Sequence, residues 1–427
     1  MDDDFALKPG MLLGTASSAT QQDGGEPDTT WRAWCEKGRA KDGSDPLRAA
    51  LHYERWREDT LLMHRLGIQT SRLSVDWARI EPQEGFFDEF EIAHVKEELM
   101  LLIGMGIKPL VTLHHFSDPM WFAAKGGWLV TENVRCFLIY VEKIIKSIGH
   151  LVSEYITVNE PNLYAYNGYV NGKWPPGEKK PQLAFTVLSN MAGAHIKSYR
   201  LIHDMRRSMG FHDTRVSFTL HMCVFVPKSA NPVYQRSAAE RERLFQLRPA
   251  RAMMTGQFKS PLKNLGRDRP GCYSDFHAVD YFTRRVVGLH TQTRSDGFKS
   301  DLGWEIYPKG ITACCESLMR IQPKPVYITG CGVCDLNDAF RSRFIYEHLR
   351  EVCLSDLPVK RFYYQSFLDG FEWSEGSYAR FGLVSTDGEN AARTVKKSGS
   401  FYSQLIRAGR VTQEMYDEFV AGEDYHY

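Results

Sequence analysis

Carboxylates, amides, an imidazole and an indole recur in this chain close to where short apolar runs end. Gln21 lies just past the run 11–16, Arg72 within 70–75, and His115 directly after 108–114. Asn159 and Glu160 close the run that begins at residue 155, Asp280 falls inside 275–283, and Glu372 and Trp373 follow 360–367. A lone His beside an apolar run is usually a satisfied core residue, and a lone Glu is usually a surface charge. Recurrence at successive run ends is not what surface placement generates. Neutral amide, imidazole and carboxylate groups beside indole rings suit a polyhydroxylated ring, whose hydroxyls take hydrogen bonds while its C–H faces stack on aromatics. A carboxylic acid such as Glu160 beside such a ring is a candidate proton donor. Double displacement at one sugar carbon needs a second carboxylate on the opposite side. The run 326–333 ends in Thr329-Gly330-Cys331-Gly332, a tight glycine-flanked turn that offers none.

The elements that must hold these residues alternate along the whole chain. Strand-like runs at 11–16, 70–75, 108–114, 155–159, 215–225, 275–283, 325–329 and 360–367 are separated by amphipathic stretches. Helices are expected at 45–66, 89–105, 132–148, 182–209, 336–353 and 397–406. Eight strands alternating with helices predict a parallel sheet closed into a single (β/α)8 TIM barrel over residues 1–427, with functional groups at the C-terminal strand ends. An open doubly wound sheet is the alternative, but the first strand-to-helix turn carries no G-x-G-x-x-G fingerprint. Pieces such as Trp174-Pro175-Pro176-Gly177 and Asp268-Arg269-Pro270-Gly271 read as long loops at the barrel top.

Composition narrows the partners. With 53 basic and 52 acidic residues the net charge is +1, so no global field favours nucleic acid or an anionic membrane. No run of about 18 apolar residues occurs, and the start Met1-Asp2-Asp3-Asp4 is unlike a signal peptide. Nine scattered cysteines fit a reducing cytoplasm better than a disulfide framework. Cys331-x-x-Cys334 stands without a second ligand pair, so no metal or other cofactor is expected.

Several longer stretches carry a resemblance. Gly14-Thr15-Ala16-Ser17-Ser18-Ala19-Thr20-Gln21, Ser71-Arg72-Leu73-Ser74-Val75-Asp76-Trp77-Ala78-Arg79-Ile80, Val111-Thr112-Leu113-His114-His115 and Thr157-Val158-Asn159-Glu160-Pro161 are four of them. Gly303-Trp304-Glu305-Ile306-Tyr307-Pro308 and Leu368-Asp369-Gly370-Phe371-Glu372-Trp373 complete the set. Through these the chain resembles glycoside hydrolase family 1, the β-glucosidase family, over essentially its whole length. The resemblance implies a small-molecule β-glycoside or oligosaccharide as substrate. Gln21, His115, Asn159, Glu372 and Trp373 would hold the non-reducing sugar, and Glu160 would be the acid/base. Glu372 also resembles members that act on plain rather than 6-phosphorylated sugars.

The sequence departs from that family pattern at several related positions. Where the family has Thr-Glu-Asn-Gly, with the nucleophile in second place, this chain has Thr329-Gly330-Cys331-Gly332. The family's Asn-Tyr-Tyr reads Asp280-Tyr281-Phe282, so the phenol that would hold the nucleophile is absent. The tryptophan of Trp-Ser-Leu, on the sugar-contacting wall, is Gln365, and the one after the sugar-binding His is Phe116. A void is therefore expected at Gly330, and Arg72 is expected to lose its anionic partner and recruit phosphate, another anion or water. Three readings follow. One is an inverting enzyme, with Glu160 as acid and either Asp280 as base or an anion entering at Gly330. Another is a hydrolase with a substitute nucleophile, Cys331 or Asp280. The last is a silent sugar-binding protein, which the retention of both Asn159 and Glu160 disfavours. On the same view, Gly330→Glu is expected to restore some retaining activity.

Overall fold

The computed structural model describes residues 4–288, 296–387 and 390–426. Its centre is a parallel sheet of eight strands: β1 (Leu12–Ala16), β2 (Thr70–Ser74), β3 (Lys108–Thr112), β4 (Glu154–Ile156), β5 (Arg215–Ser217, resuming as Thr219–Pro227), β6 (His277–Val287), β7 (Val326–Cys331) and β8 (Val359–Gln365). The two pieces of β5, parted only by Phe218, sit at opposite ends of the strand order. The first piece pairs with β4 (Ile156 opposite Ser217) and the second with β6 (Thr219 opposite Ala278), so β5 closes the ring. The architecture is the (β/α)8 barrel that the alternation of runs predicts.

Helices α1 (His52–Arg65), α2 (Glu89–Gly104), α3 (Val134–Ile148), α4 (Pro181–Ser208), α5 (Arg248–Thr255), α6 (Lys309–Met319), α7 (Arg341–Leu354) and α8 (Lys397–Ala408) follow the strands in turn. In α3 the buried residues Val134, Phe137, Tyr140, Val141, Ile144, Ile145 and Ile148 recur every three or four positions, which gives one apolar face to pack on the sheet. The Asp88 side chain accepts hydrogen bonds from the Phe90 and Glu91 amides and so fixes where α2 begins. Two expected helices start late. Residues 45–51 form turns that end at Leu51, which has a left-handed φ of 54°, before α1 begins. Ahead of α7, Asp335 accepts from the amides of Asn337, Ala339 and Phe340, and that loop structure replaces the first expected turn. The pattern reading also missed the helix Pro161–Tyr169, the helix Pro232–Glu242, α5, α6 and the helix Gln413–Phe419.

Inside the ring, Ala16, Leu110, Ile156, Phe276, Ala278, Tyr327 and Tyr363 form a closed layer below the mouth. The Tyr327 and Tyr363 hydroxyls are satisfied by Glu154 Oε1 at 3.0 Å and Thr70 Oγ1 at 2.9 Å. This filled layer lies beneath the C-terminal strand ends, where ligands of such barrels bind. Among the described residues no helix is long and apolar enough to cross a membrane.

Candidate active site

The mouth is shaped by an irregularity between β6 and β7. Val279 is opposite Ile328, yet the next residue, Asp280, is opposite Gly330, so Thr329 is an extra residue on β7. A bulge of this kind re-aims its neighbours. Here both Thr329 and Gly330 meet the Asp280 side chain. The Thr329 hydroxyl donates to Asp280 Oδ1 at 2.6 Å. A Cβ added to Gly330 would lie 3.0 Å from Asp280 Cγ, 3.0 Å from Asp280 Oδ1 and 3.0 Å from Gln365 Oε1. The expected void at Gly330 is therefore absent, because the carboxyl of the neighbouring strand and the Gln365 amide occupy it.

Arg72 is likewise not left unpaired. Its Nη1 donates to both Asp280 oxygens (3.2 and 3.1 Å) and to the Thr329 carbonyl (2.9 Å). Its Nε donates to Thr112 Oγ1 at 3.2 Å, and Nη2 donates to Asn159 Oδ1 and, at 3.4 Å, to Thr219 Oγ1. The guanidinium is about 1% exposed, and an internal carboxylate neutralises it. The expectation of a recruited phosphate or other anion is corrected on this ground. A buried charge needs one partner of opposite sign, and Asp280 supplies it. With Asn159 Oδ1 engaged by Arg72 and by the Thr219 hydroxyl (2.7 Å), what Asn159 has left to offer is its amide N–H.

Glu160 follows β4 in a left-handed conformation (φ 40°) at the start of the helix Pro161–Tyr169. Its Oε1 is 3.1 Å from His221 Nδ1, and its carboxyl is a near neighbour of that of Asp280. Burial pushes the Glu160 carboxyl up to about 8, against the opposing pull of the Arg72 charge. Burial also raises Asp280, to about 6, with Arg72 again holding it down and Glu160 adding to the rise. Two neighbouring carboxyls therefore favour different protonation states at neutral pH, one protonated and one ionised.

Sequence reasoning passed over His221. It lies in the interior of β5, where nothing in its neighbours sets it apart from a core histidine. Burial lowers it to about 3, so it is neutral. Asn162 brackets it, donating from Nδ2 to the His221 carbonyl (2.8 Å) and accepting from its amide at Oδ1 (3.2 Å). Phe282 stacks on it, with centroids 5.9 Å apart and planes 14° apart. Thr329 was also missed as a side chain of the site, and its hydroxyl bonds the Asp280 carboxylate.

The predicted sugar-holding residues come together beside this centre. Gln21 donates from Nε2 to Glu372 Oε2 at 2.9 Å and accepts at Oε1 from the Ser18 hydroxyl at 2.7 Å. Burial, with Asp369 adding to it, raises the Glu372 carboxyl to about 8. His115 stacks on Trp373 (5.7 Å, 18°), and its Nδ1 is buried with no protein partner. Burial and the Arg72 charge hold His115 neutral, well below its ordinary value. Trp373 also meets Phe116, Trp31 and Trp174, an aromatic wall beside the polar set. Gln365 faces Gly330, as above. Cys331 does not join the group. Its thiol is buried, and burial, with Asp280 and Cys315 adding to it, holds it well above the thiol range, so it is no nucleophile.

Over most of its length the chain is similar to known glycosidases. The model of glycosyl hydrolase family 1 matches residues 6–287 and 279–410. The chain is 26% identical to a 1,4-beta-D-glucan glucohydrolase of Thermotoga neapolitana, over 94% of this chain and 98% of that protein. A beta-glycosidase from Pyrococcus horikoshii superposes with a TM-score of 0.88 at 32% identity, covering 98% of each chain. A beta-glucosidase from Thermotoga maritima in complex with deoxynojirimycin superposes at 0.86 with 25% identity, covering 95% of this chain and 99% of that one.

Proposed function

The chain belongs to glycosyl hydrolase family 1, and from that membership and its paired carboxyls we propose a β-glycosidase in which Asp280 replaces the family's nucleophile. The family glutamate position is Gly330, and Asp280 reaches across from β6 into the volume a longer side chain there would fill. Glu160 is the acid/base. In the first step the Asp280 carboxylate attacks the anomeric carbon while Glu160 passes its proton to the glycosidic oxygen, and the alcohol leaves. In the second, Glu160 takes a proton from water, which displaces Asp280 and releases the sugar with its configuration retained.

The Asp280 carboxyl, 3.0 Å from where a Gly330 Cβ would stand, carries this reading. Inversion needs a water held between base and acid, with carboxyls roughly 6.5–9.5 Å apart, whereas retention works at about 5–5.5 Å. Neighbouring carboxyls support the shorter span over an inverting course. Arg72 and Thr329 support the role further by stabilising Asp280 as an anion. Gln21, His115, Asn159, Glu372 and Trp373 are the groups that would grip the sugar, with Gln365 on the wall nearest Gly330. The substrate is a small β-glycoside or oligosaccharide.

The test combines stereochemistry with trapping. Proton NMR of an aryl β-glucoside reaction should show the β-anomer first, and mass spectrometry after incubation with a 2-deoxy-2-fluoro-β-glucoside should find the sugar on the Asp280 peptide. An α-anomer as first product, or no turnover of any β-glycoside, would sink the proposal.

A further inference from the structure

Beside the helix Pro161–Tyr169, which Glu160 opens, lies a cavity of about 230 Å³ to which the steps above assign no ligand. It sits between the helix Pro161–Tyr169, the first turns of α4 and the segment that follows the helix Pro232–Glu242. Ala165, Val170, Phe185, Leu188, Phe225 and Phe245 make its walls apolar. For scale, a dry apolar cavity of roughly 150 Å³ takes a benzene ring.

Two guanidiniums, Arg241 and Arg285, also line it. Among the described residues neither has an ion-pair partner. The one carboxylate of the lining, Glu240, accepts from Arg243 Nε at 2.7 Å. An arginine fork without an acid of its own, set in apolar walls, is matched to a carboxylate or similar anion carried on an apolar body. The cavity also touches the catalytic centre at one remove. Asn162 lines it and holds His221 at 2.8 and 3.2 Å, Phe245 lines it and packs on the His221 ring, and His221 Nδ1 is 3.1 Å from Glu160.

We infer that this cavity binds a ring compound bearing an anionic group, and that its occupancy alters turnover through Asn162 and His221. The ligand is either the leaving group of the substrate or a free small molecule, since one chemistry serves both. The inference takes the catalytic role of Glu160 from the reading above, but the binding half stands without turnover, so inactivity towards glycosides would sink that reading alone.

Calorimetric titration with sodium 2-naphthoate should give one site per chain, with the neutral 2-naphthamide at least tenfold weaker. Arg285→Gln should weaken 2-naphthoate at least tenfold, and Ala165→Phe, which fills the cavity, should abolish binding. Should Ala165→Phe fail to fold, Arg241→Gln on the half-exposed rim decides the matter by the same tenfold loss. Absence of binding to the unmodified protein, or equal affinity in the variants, overturns the site. In the kinetic arm, competition between 2-naphthoate and 4-nitrophenyl β-glucoside marks the leaving group as the source, and a changed kcat without competition marks a free effector. Unchanged kinetics at saturating 2-naphthoate overturns the link to Glu160.

Discussion

Asp280 of β6 holds its carboxyl carbon 3.0 Å from the point where a Cβ on Gly330 of β7 would stand. The two residues are register partners, and they exclude each other's enlargement. Gly330→Glu alone should therefore lower activity below that of the unmodified protein, because its side chain must displace Asp280 and Gln365. This reverses the sequence-based expectation of a gain. The double variant Gly330→Glu/Asp280→Asn returns one carboxylate to the pair and should exceed Asp280→Asn in kcat/KM with an aryl β-glucoside.

Asp280→Asn should reduce kcat by a factor of about 10³ or more if the residue forms the covalent bond. It should also destabilise the fold, since Arg72 would stay buried without its counter-charge. Removing one partner of a buried pair costs about 3–5 kcal/mol, which chemical unfolding can read. Loss of activity with unchanged stability would mean that Arg72 finds another anion.

The rate should be bell-shaped in pH. Asp280 must be ionised, so activity falls as pH drops through about 6, and Glu160 must be protonated, so activity falls as pH rises through about 8. The two limbs belong to the pair as a unit. Thr329→Val removes the hydrogen bond that favours the Asp280 anion, so the acid limb of kcat/KM should move to higher pH while the alkaline limb stays.

Glu160 should also leave a mark on stability. Its folded value, about 8, exceeds the ordinary 4.5, so the folded protein holds this proton more tightly than the unfolded chain. That contribution is fully present below about 4.5 and is lost as pH rises through about 8. Glu160→Gln cannot titrate, so relative to the unmodified protein it should gain stability above pH 8 and gain little at pH 4. Thermal unfolding of the two proteins at those pH values checks the sign.

The barrel was legible because each of its strands is a short apolar run bounded by turns, and α3 announces its face by strict spacing. The candidate residues that the structure brings together at the mouth were legible one by one for the same reason, as polar groups at strand ends. What one sequence could not show is which strand end leans over which. The glycine at position 330 is a local fact, whereas the approach of the Asp280 carboxyl to it depends on a bulge at Thr329 and on pairing across some fifty positions of sequence. His221 was hidden similarly, since only the fold brings it to Glu160, 61 positions away.

Arg72 fastens the tips of six strands or their end loops to one planar cation, its own β2 joined to Thr112, Asn159, Thr219, Asp280 and Thr329. Such a hub makes the rim mechanically indivisible. Amide hydrogen exchange at Thr112, Asn159 and Thr219 should slow down in step, and replacing Arg72 should quicken all three together.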